Sequence, residues 1–167
     1  MYDELTKKDI EKMEEEIEYR KLVVRKEALE AVKEARSHGD LSENFEYHAA
    51  KKDKNQNESR IRYLERMIKT AKVVSEDSKE DEVGINNTVQ VYFEDDDETE
   101  EFTIVTTVRG NSLKGLISTE SPIGKAVFGH KAGDRVEVKV NDDYSYYVQI
   151  KAIGKQVDDE KISIRKF

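Results

Sequence analysis

The chain has 167 residues, 40% of them charged and 36% hydrophobic, a balance that favours an elongated or heavily solvated arrangement over one compact globule. With no cysteine it offers no disulfide framework, thiolate metal site or cysteine nucleophile. A formal net charge of −8 argues against independent, non-specific binding to nucleic acid, which needs Lys and Arg to neutralise phosphates, so any such contact must be local or assisted by a partner.

The opening MYDELTKKDIEKMEEE has no apolar core, and no later stretch approaches the roughly 20 apolar residues of a membrane span. A soluble, cytoplasmic protein with no membrane partner is expected. From Thr6 to about Arg36 there is no Pro or Gly, and Ile10, Met13, Ile17, Val24, Ala28, Ala31 or Val32, and Ala35 recur at helical spacings. Thr6 and Asp9 resemble a capping box at its start. That predicts one helix of roughly 45 Å. A second helical pattern after Gly39 carries Ile61, Leu64, Ile68 and Ala71. Two long helices with narrow apolar stripes, joined by SHGDLSEN, hide those stripes most simply as an antiparallel hairpin with the turn at its tip.

After Val74 the acidic segment SEDSKEDEVGINN reads as a linker. Strand periodicity follows at Thr88 to Phe93, Phe102 to Val108, Leu113 to Ser118, Asp134 to Val140 and Ser145 to Lys151. EDDDETEE, Arg109 to Asn111 and Asn141 to Asp143 are the predicted turns. Ser121 followed by Pro122 reads as the start of a short helix that Gly129 closes. The fold class is therefore α+β. A coiled-coil hairpin over 1–75 and a linker over 76–84 precede an antiparallel sheet domain with one short helix over 85–154 and an extension over 155–167.

The informative segment is GDLSENFEYHAAKK, residues 39–52, which places Asp40 and Glu43 at the tip with Glu46 close behind. Two carboxylates on one turn can share a hard cation. Mg²⁺ is usually held by one or two carboxylates with waters and phosphate oxygens, so the pair completes a site only alongside other ligands, and no metal is expected on the protein alone. Lys33, Arg36, His38, His48, Lys51 and Lys52 form a local basic cluster that could steer an RNA backbone.

GDLSENFEYHAAKK resembles the tip signature of the Gre family of bacterial transcript cleavage and elongation factors, GreA type. EAVKEARSHGD upstream and LISTESPIGKAVFGHKAGD downstream resemble two further stretches of that family, in the expected order, so the likeness covers nearly the whole chain. It implies an FKBP-like second half that docks on bacterial RNA polymerase core through Ser121, Pro122 and Ile123. It also implies that the hairpin enters the secondary channel as a monomer. There Asp40 and Glu43 would share Mg²⁺ with the polymerase and help it cleave the backtracked 3′ end of nascent RNA. Arg36 and Lys51, with Lys33 and Lys52 nearby, stand where the family contacts RNA; Asn44, Glu46 and Tyr47 shape the tip or touch RNA. Ser42 and Phe45 depart from the family pattern, which commonly has a basic and a small residue there.

Each feature also has a plainer reading. Acidic residues are common at helix starts, and charges on a hairpin's outer faces mostly serve solvation. His38 and His48 lack metal-ligand spacing. A channel-occupying inhibitor of polymerase, a coiled-coil adaptor and a prolyl isomerase remain alternatives; for the last, no aromatic proline pocket is evident in the strands, and fold alone licenses no activity.

Overall fold

The computed structural model describes residues 3–39, 43–155 and 164. They fall into two compact units, one made of 8–71 and the other of 3–7 with 72–155.

The helical unit contains α1 (Lys7–Tyr19), α2 (Arg25–Arg36) and α3 (Phe45–Thr70). α1 and α2 are not separated by a break. One π-helical segment, Arg20–Val24, joins them, and the Arg25 N–H reaches back to the Arg20 carbonyl five residues earlier. Met13, Val32 and Ala35 are buried against a stripe that includes Ile61 and Leu64 on α3, while Ile10, Ile17, Val24 and Ala28 are half-buried. Of the pair left open by spacing, Val32 turns inward and Ala31 outward.

Where the apolar pattern lapses between Ile17 and Val24, charged groups take over the interface. Glu16 accepts bonds from Arg60 at 2.8 and 3.1 Å and from Arg20 at 2.7 Å. Arg20 also donates to the Asn57 amide oxygen at 3.1 Å, and Asn57 donates in return to the Arg20 carbonyl at 3.3 Å. The π turn thus presents a carbonyl to the facing helix, where a buried amide takes it up; π turns tend to occur where a helix does something besides pack. Further out, Arg25 grips Glu58 with two bonds of 2.8 and 3.0 Å, and Lys21 pairs with Glu65 at 2.7 Å. Partners fall from Arg60 on α3 opposite Glu16 to Asn44, just before α3, opposite Ala35, so the helices run antiparallel.

In the second unit, β1 (Glu4–Leu5) pairs in parallel with β2 (Lys72–Val73). The main sheet has the order β5-β4-β3-β7-β6, built from β3 (Thr88–Phe93), β4 (Glu98–Val105), β5 (Leu116–Ser118), β6 (Arg135–Lys139) and β7 (Ser145–Gly154). β3 is central and antiparallel to both β4 and β7, and β6 is antiparallel to β7. The sheet departs from the expected all-antiparallel form at one edge, because β5 runs parallel to β4. The chain between them makes two 3-10 turns, Thr107–Arg109 and Ser112–Lys114, instead of a hairpin. Thr107 and Val108 of the first turn and Leu113 and Lys114 of the second are residues that alternation assigned to strands, whereas Arg109 falls in the expected turn.

β4 also begins earlier than expected. Only Glu94 to Asp97 form the turn, with Asp97 at φ 51°, and Glu98 to Glu101 already pair with β3. Their carboxylates are exposed, so strand pairing costs them no solvation. Inward residues Val89, Val91, Ile104, Val138, Val148 and Ile150 are fully buried. Val127 of the short helix α4 (Pro122–Val127) and Val83, within the segment 76–84, complete that core.

A candidate functional site at the hairpin tip

α2 stops where its sequence runs into Ser37, His38 and Gly39. The Ser37 and His38 N–H groups fold back to the Glu34 and Ala35 carbonyls, and Gly39 adopts φ 138°, which disfavours any residue with a Cβ. α3 starts just after Asn44, a residue with two jobs. Its amide oxygen accepts the Tyr47 N–H at 3.0 Å, the bond an N-cap makes, and its amide nitrogen donates to the Ala35 carbonyl at 2.6 Å. One side chain therefore caps the second helix and ties it to the end of the first.

Asp40 lies outside the described residues, as do Leu41 and Ser42. Glu43 is exposed, and its carboxylate has no hydrogen bond or ion pair among the described residues. Glu46 is differently placed, since it meets His38 Nδ1 at 2.8 Å. That hydrogen bond and the Glu46 charge raise the His38 pKa above its ordinary value. Glu46 is thus engaged with the end of α2, leaving Glu43 as the described tip carboxylate ready for another ligand.

Tyr47 is half-buried near two cations, with Arg36 5.5 Å and Lys51 6.0 Å from its ring centre. A hydrogen bond from Arg36, then the charges of Lys51 and Arg36, lower its phenol pKa. The sequence placed Arg36, Tyr47 and Lys51 in one cluster; the structure joins them through the ring. Lys33 and Lys52 are exposed nearby in the chain, Lys33 one turn before Arg36 and Lys52 beside Lys51. His48 is also exposed. Among the described residues no three metal-ligating side chains come together. Glu43 fits Mg²⁺ in the limited sense of a hard oxygen donor with no partner among the described residues.

The second predicted surface surrounds α4. Ser121 Oγ accepts the Gly124 N–H at 3.2 Å and donates to the Ser118 carbonyl at 2.6 Å, so it caps the helix as expected. A Cβ on Gly124 would run into the Ser118 carbonyl, which explains a glycine inside this turn. Pro122 is exposed, whereas Ile123 turns partly inward onto the core. Of the three residues, Pro122 is the one fully presented.

Two features escaped the linear reading. The buried layer of Glu16, Asn57 and Arg60 was signalled by Asn57 and Arg60 lying four residues before Ile61 and Leu64, hence on the same helical face. An aromatic cleft of about 170 Å³ also forms between Phe93, Tyr144 and Tyr146, with Asp95 and Asp96 on its rim. Alternation along β3 and β7 puts Phe93 and Tyr146 on the core face, but their adjacency needed the strand register.

The chain matches two family models: "Transcription elongation factor, N-terminal" over residues 4–73, and "Transcription elongation factor, GreA/GreB, C-term" over residues 77–155. It belongs to the GreA/GreB family of transcription elongation factors. It is similar to the transcription elongation factor GreA of Thermoanaerobacter pseudethanolicus, 50% identical over 137 residues, covering 81% of this chain and 87% of that protein. The Clostridium acetobutylicum GreA is 44% identical over 144 residues, covering 86% and 91%. A solved structure, that of the transcription factor Gfh1, aligns with 92% of this chain and 97% of its own at 26% identity and a TM-score of 0.46. No described helix is long and apolar enough to cross a membrane.

Proposed function

We propose that this chain rescues arrested bacterial RNA polymerase by carrying its hairpin tip into the secondary channel and supplying carboxylate oxygen to the polymerase's cleavage of backtracked RNA. As a GreA-type factor it stimulates cleavage by polymerase and does not catalyse independently. The observation that carries the finer reading is Glu43, exposed and without a partner among the described residues, four residues before Tyr47, whose ring lies near two cations. Glu43, with Asp40 by resemblance, would hold the shared Mg²⁺ and orient the attacking water through a carboxylate oxygen. When bound, that ion activates water and offsets charge developing on the scissile phosphate. Arg36 and Lys51, flanked by Lys33 and Lys52, would hold the RNA phosphates, and Tyr47 would keep the first two apart.

In the same reading, residues 1–75 form the inserted arm and 85–154 the docking domain, with Pro122 leading the contact and Ser121 shaping it. The protein acts as a monomer in the cytoplasm, where the polymerase is. The test is a backtracked elongation complex with end-labelled RNA, with and without the factor, and with Asp40→Ala or Glu43→Ala variants shown to bind polymerase. The intact chain should accelerate Mg²⁺-dependent shortening, and each variant should lose roughly a hundredfold or more, the size expected when a group acting on the transition state is removed. No acceleration despite proven binding would identify a channel-occupying regulator instead.

A further inference from the structure

Phe45 opens α3 with 87% of its surface exposed. Its backbone is nonetheless fixed, because the preceding Asn44 is tied both to the Tyr47 N–H and to the Ala35 carbonyl. The ring is held in solvent by a pinned helix start. Tyr19, Leu22 and Leu29 are exposed too, but they lie along the shaft. Phe45 stands two residues from Glu43, so their Cα atoms are at most about 7.6 Å apart, two virtual bonds of about 3.8 Å. Glu43 and Phe45 are both exposed, so an RNA end that reaches the Glu43 carboxylate is within a few ångströms of chain from this ring.

Sites for single-stranded nucleic acid combine cations that follow the phosphates with aromatic faces on which bases stack. The tip has the cations in Arg36 and Lys51, and both flank Tyr47, whose ring is therefore already engaged. Phe45 is the aromatic face left open. We propose that Phe45 stacks on a nucleobase of the extruded RNA next to the bond being cut, so that this tip senses whether a base is present there. The proposal rests on the cleavage reading above and adds to it a contact that discriminates between RNAs.

The experiment uses backtracked complexes of the cognate polymerase carrying RNAs that differ at one position, a natural base or an abasic ribose on the 3′ side of the scissile bond. At limiting factor, Phe45→Ala should slow cleavage of the base-bearing RNA about tenfold, the scale of one base–aromatic stack. It should leave the abasic RNA unchanged, and Phe45→Trp should keep the wild-type preference. Equal losses on both RNAs would place the ring against polymerase protein and overturn the proposal, as would no loss on either. A second readout does not depend on cleavage. With 4-thiouridine at the same position and no Mg²⁺, light should cross-link the RNA to the tip, and Phe45→Ala should abolish the cross-link. A cross-link unchanged by Phe45→Ala would also overturn the stacking. If the intact chain does not accelerate cleavage by the polymerase, the cleavage reading falls while the cross-link still decides the stacking.

Discussion

In the sheet unit the fully buried side chains of β3, β4, β6 and β7 include Val89, Val91, Ile104, Val138, Val148 and Ile150, all aliphatic. In the middle of the helical unit the buried side chains include Asn57, 3% exposed, and Arg60, 5% exposed, with Glu16 bonded to the latter. The sheet unit buries polar side chains too, Asn86, Asn87, Thr106 and Arg109, but beside its strands, whereas Asn57 and Arg60 lie within the helix pairing itself. An aliphatic core gains stability from area and tolerates no gap, whereas a charged layer gains little net stability and forbids misalignment, since a slipped register would leave a buried charge unpaired. The teaching is that the hairpin has traded cohesion for register. Under the function proposed above, a tip that presents Glu43 at a defined place needs that trade more than a domain that only docks.

The largest expected effect is in the aliphatic core. Ile104→Ala should destabilise the sheet unit by about 3 kcal/mol, within the usual range for a buried large-to-small change. Hydrogen exchange should show it as lost protection on β3 and β4, with little change on α3. Equal loss everywhere would mean that the two units share one unfolding transition.

Next is the polar layer. Glu16→Ala should cost the hairpin about 2 kcal/mol, less than the roughly 3–5 kcal/mol for breaking a fully buried pair because the Glu16 side chain is partly exposed. The double change Glu16→Met with Arg60→Leu should recover most of that stability in urea unfolding. If register is what the layer provides, the double variant should nevertheless stimulate cleavage less well than its stability predicts.

The same layer gives a pH dependence. Burial alone would raise the Glu16 carboxyl, but bonds from Arg60 and Arg20 and their charges more than offset it, and its pKa lies below the ordinary 4.5. The unfolded chain therefore takes up this proton first as the pH drops. The stabilisation is complete above pH 4.5 and is lost as pH falls through the folded value. Helical circular dichroism during urea unfolding from pH 7 downward should show it, and Glu16→Gln should flatten that part of the curve.

At the tip, Asn44→Ala removes one cap and one cross-helix bond and should cost about 1 kcal/mol. Faster amide exchange should be confined to the first turn of α3 and the last of α2. Smallest of all is Arg25→Ala, which breaks a half-buried two-bond ion pair and should lower stability only slightly in urea unfolding. A large effect there would mean that the outer ion pairs hold the hairpin as firmly as the inner layer does.

Much of this was legible in the linear chain because it depends on neighbours three or four residues apart, or two. Helical spacing marked the hairpin, and the turn between Arg36 and Phe45 fell where Gly39 and the polar run required it. Alternation marked β3 and β6 closely, and Ser121 with Pro122 foretold α4. The tip residues were legible as a motif, although Asp40 lies outside the described residues.

What the sequence could not decide came from contacts between residues far apart. The parallel seating of β5 beside β4 follows from two 3-10 turns whose residues also suit strands. The π turn at Arg20–Val24 depends on Asn57, 37 residues from Arg20, meeting its carbonyl. The exposure of Phe45 follows from Asn44 reaching across to Ala35. Periodicity is a property of a segment and is set locally, but burial, ion pairing and exposure belong to surfaces that exist only once the helices and strands have met.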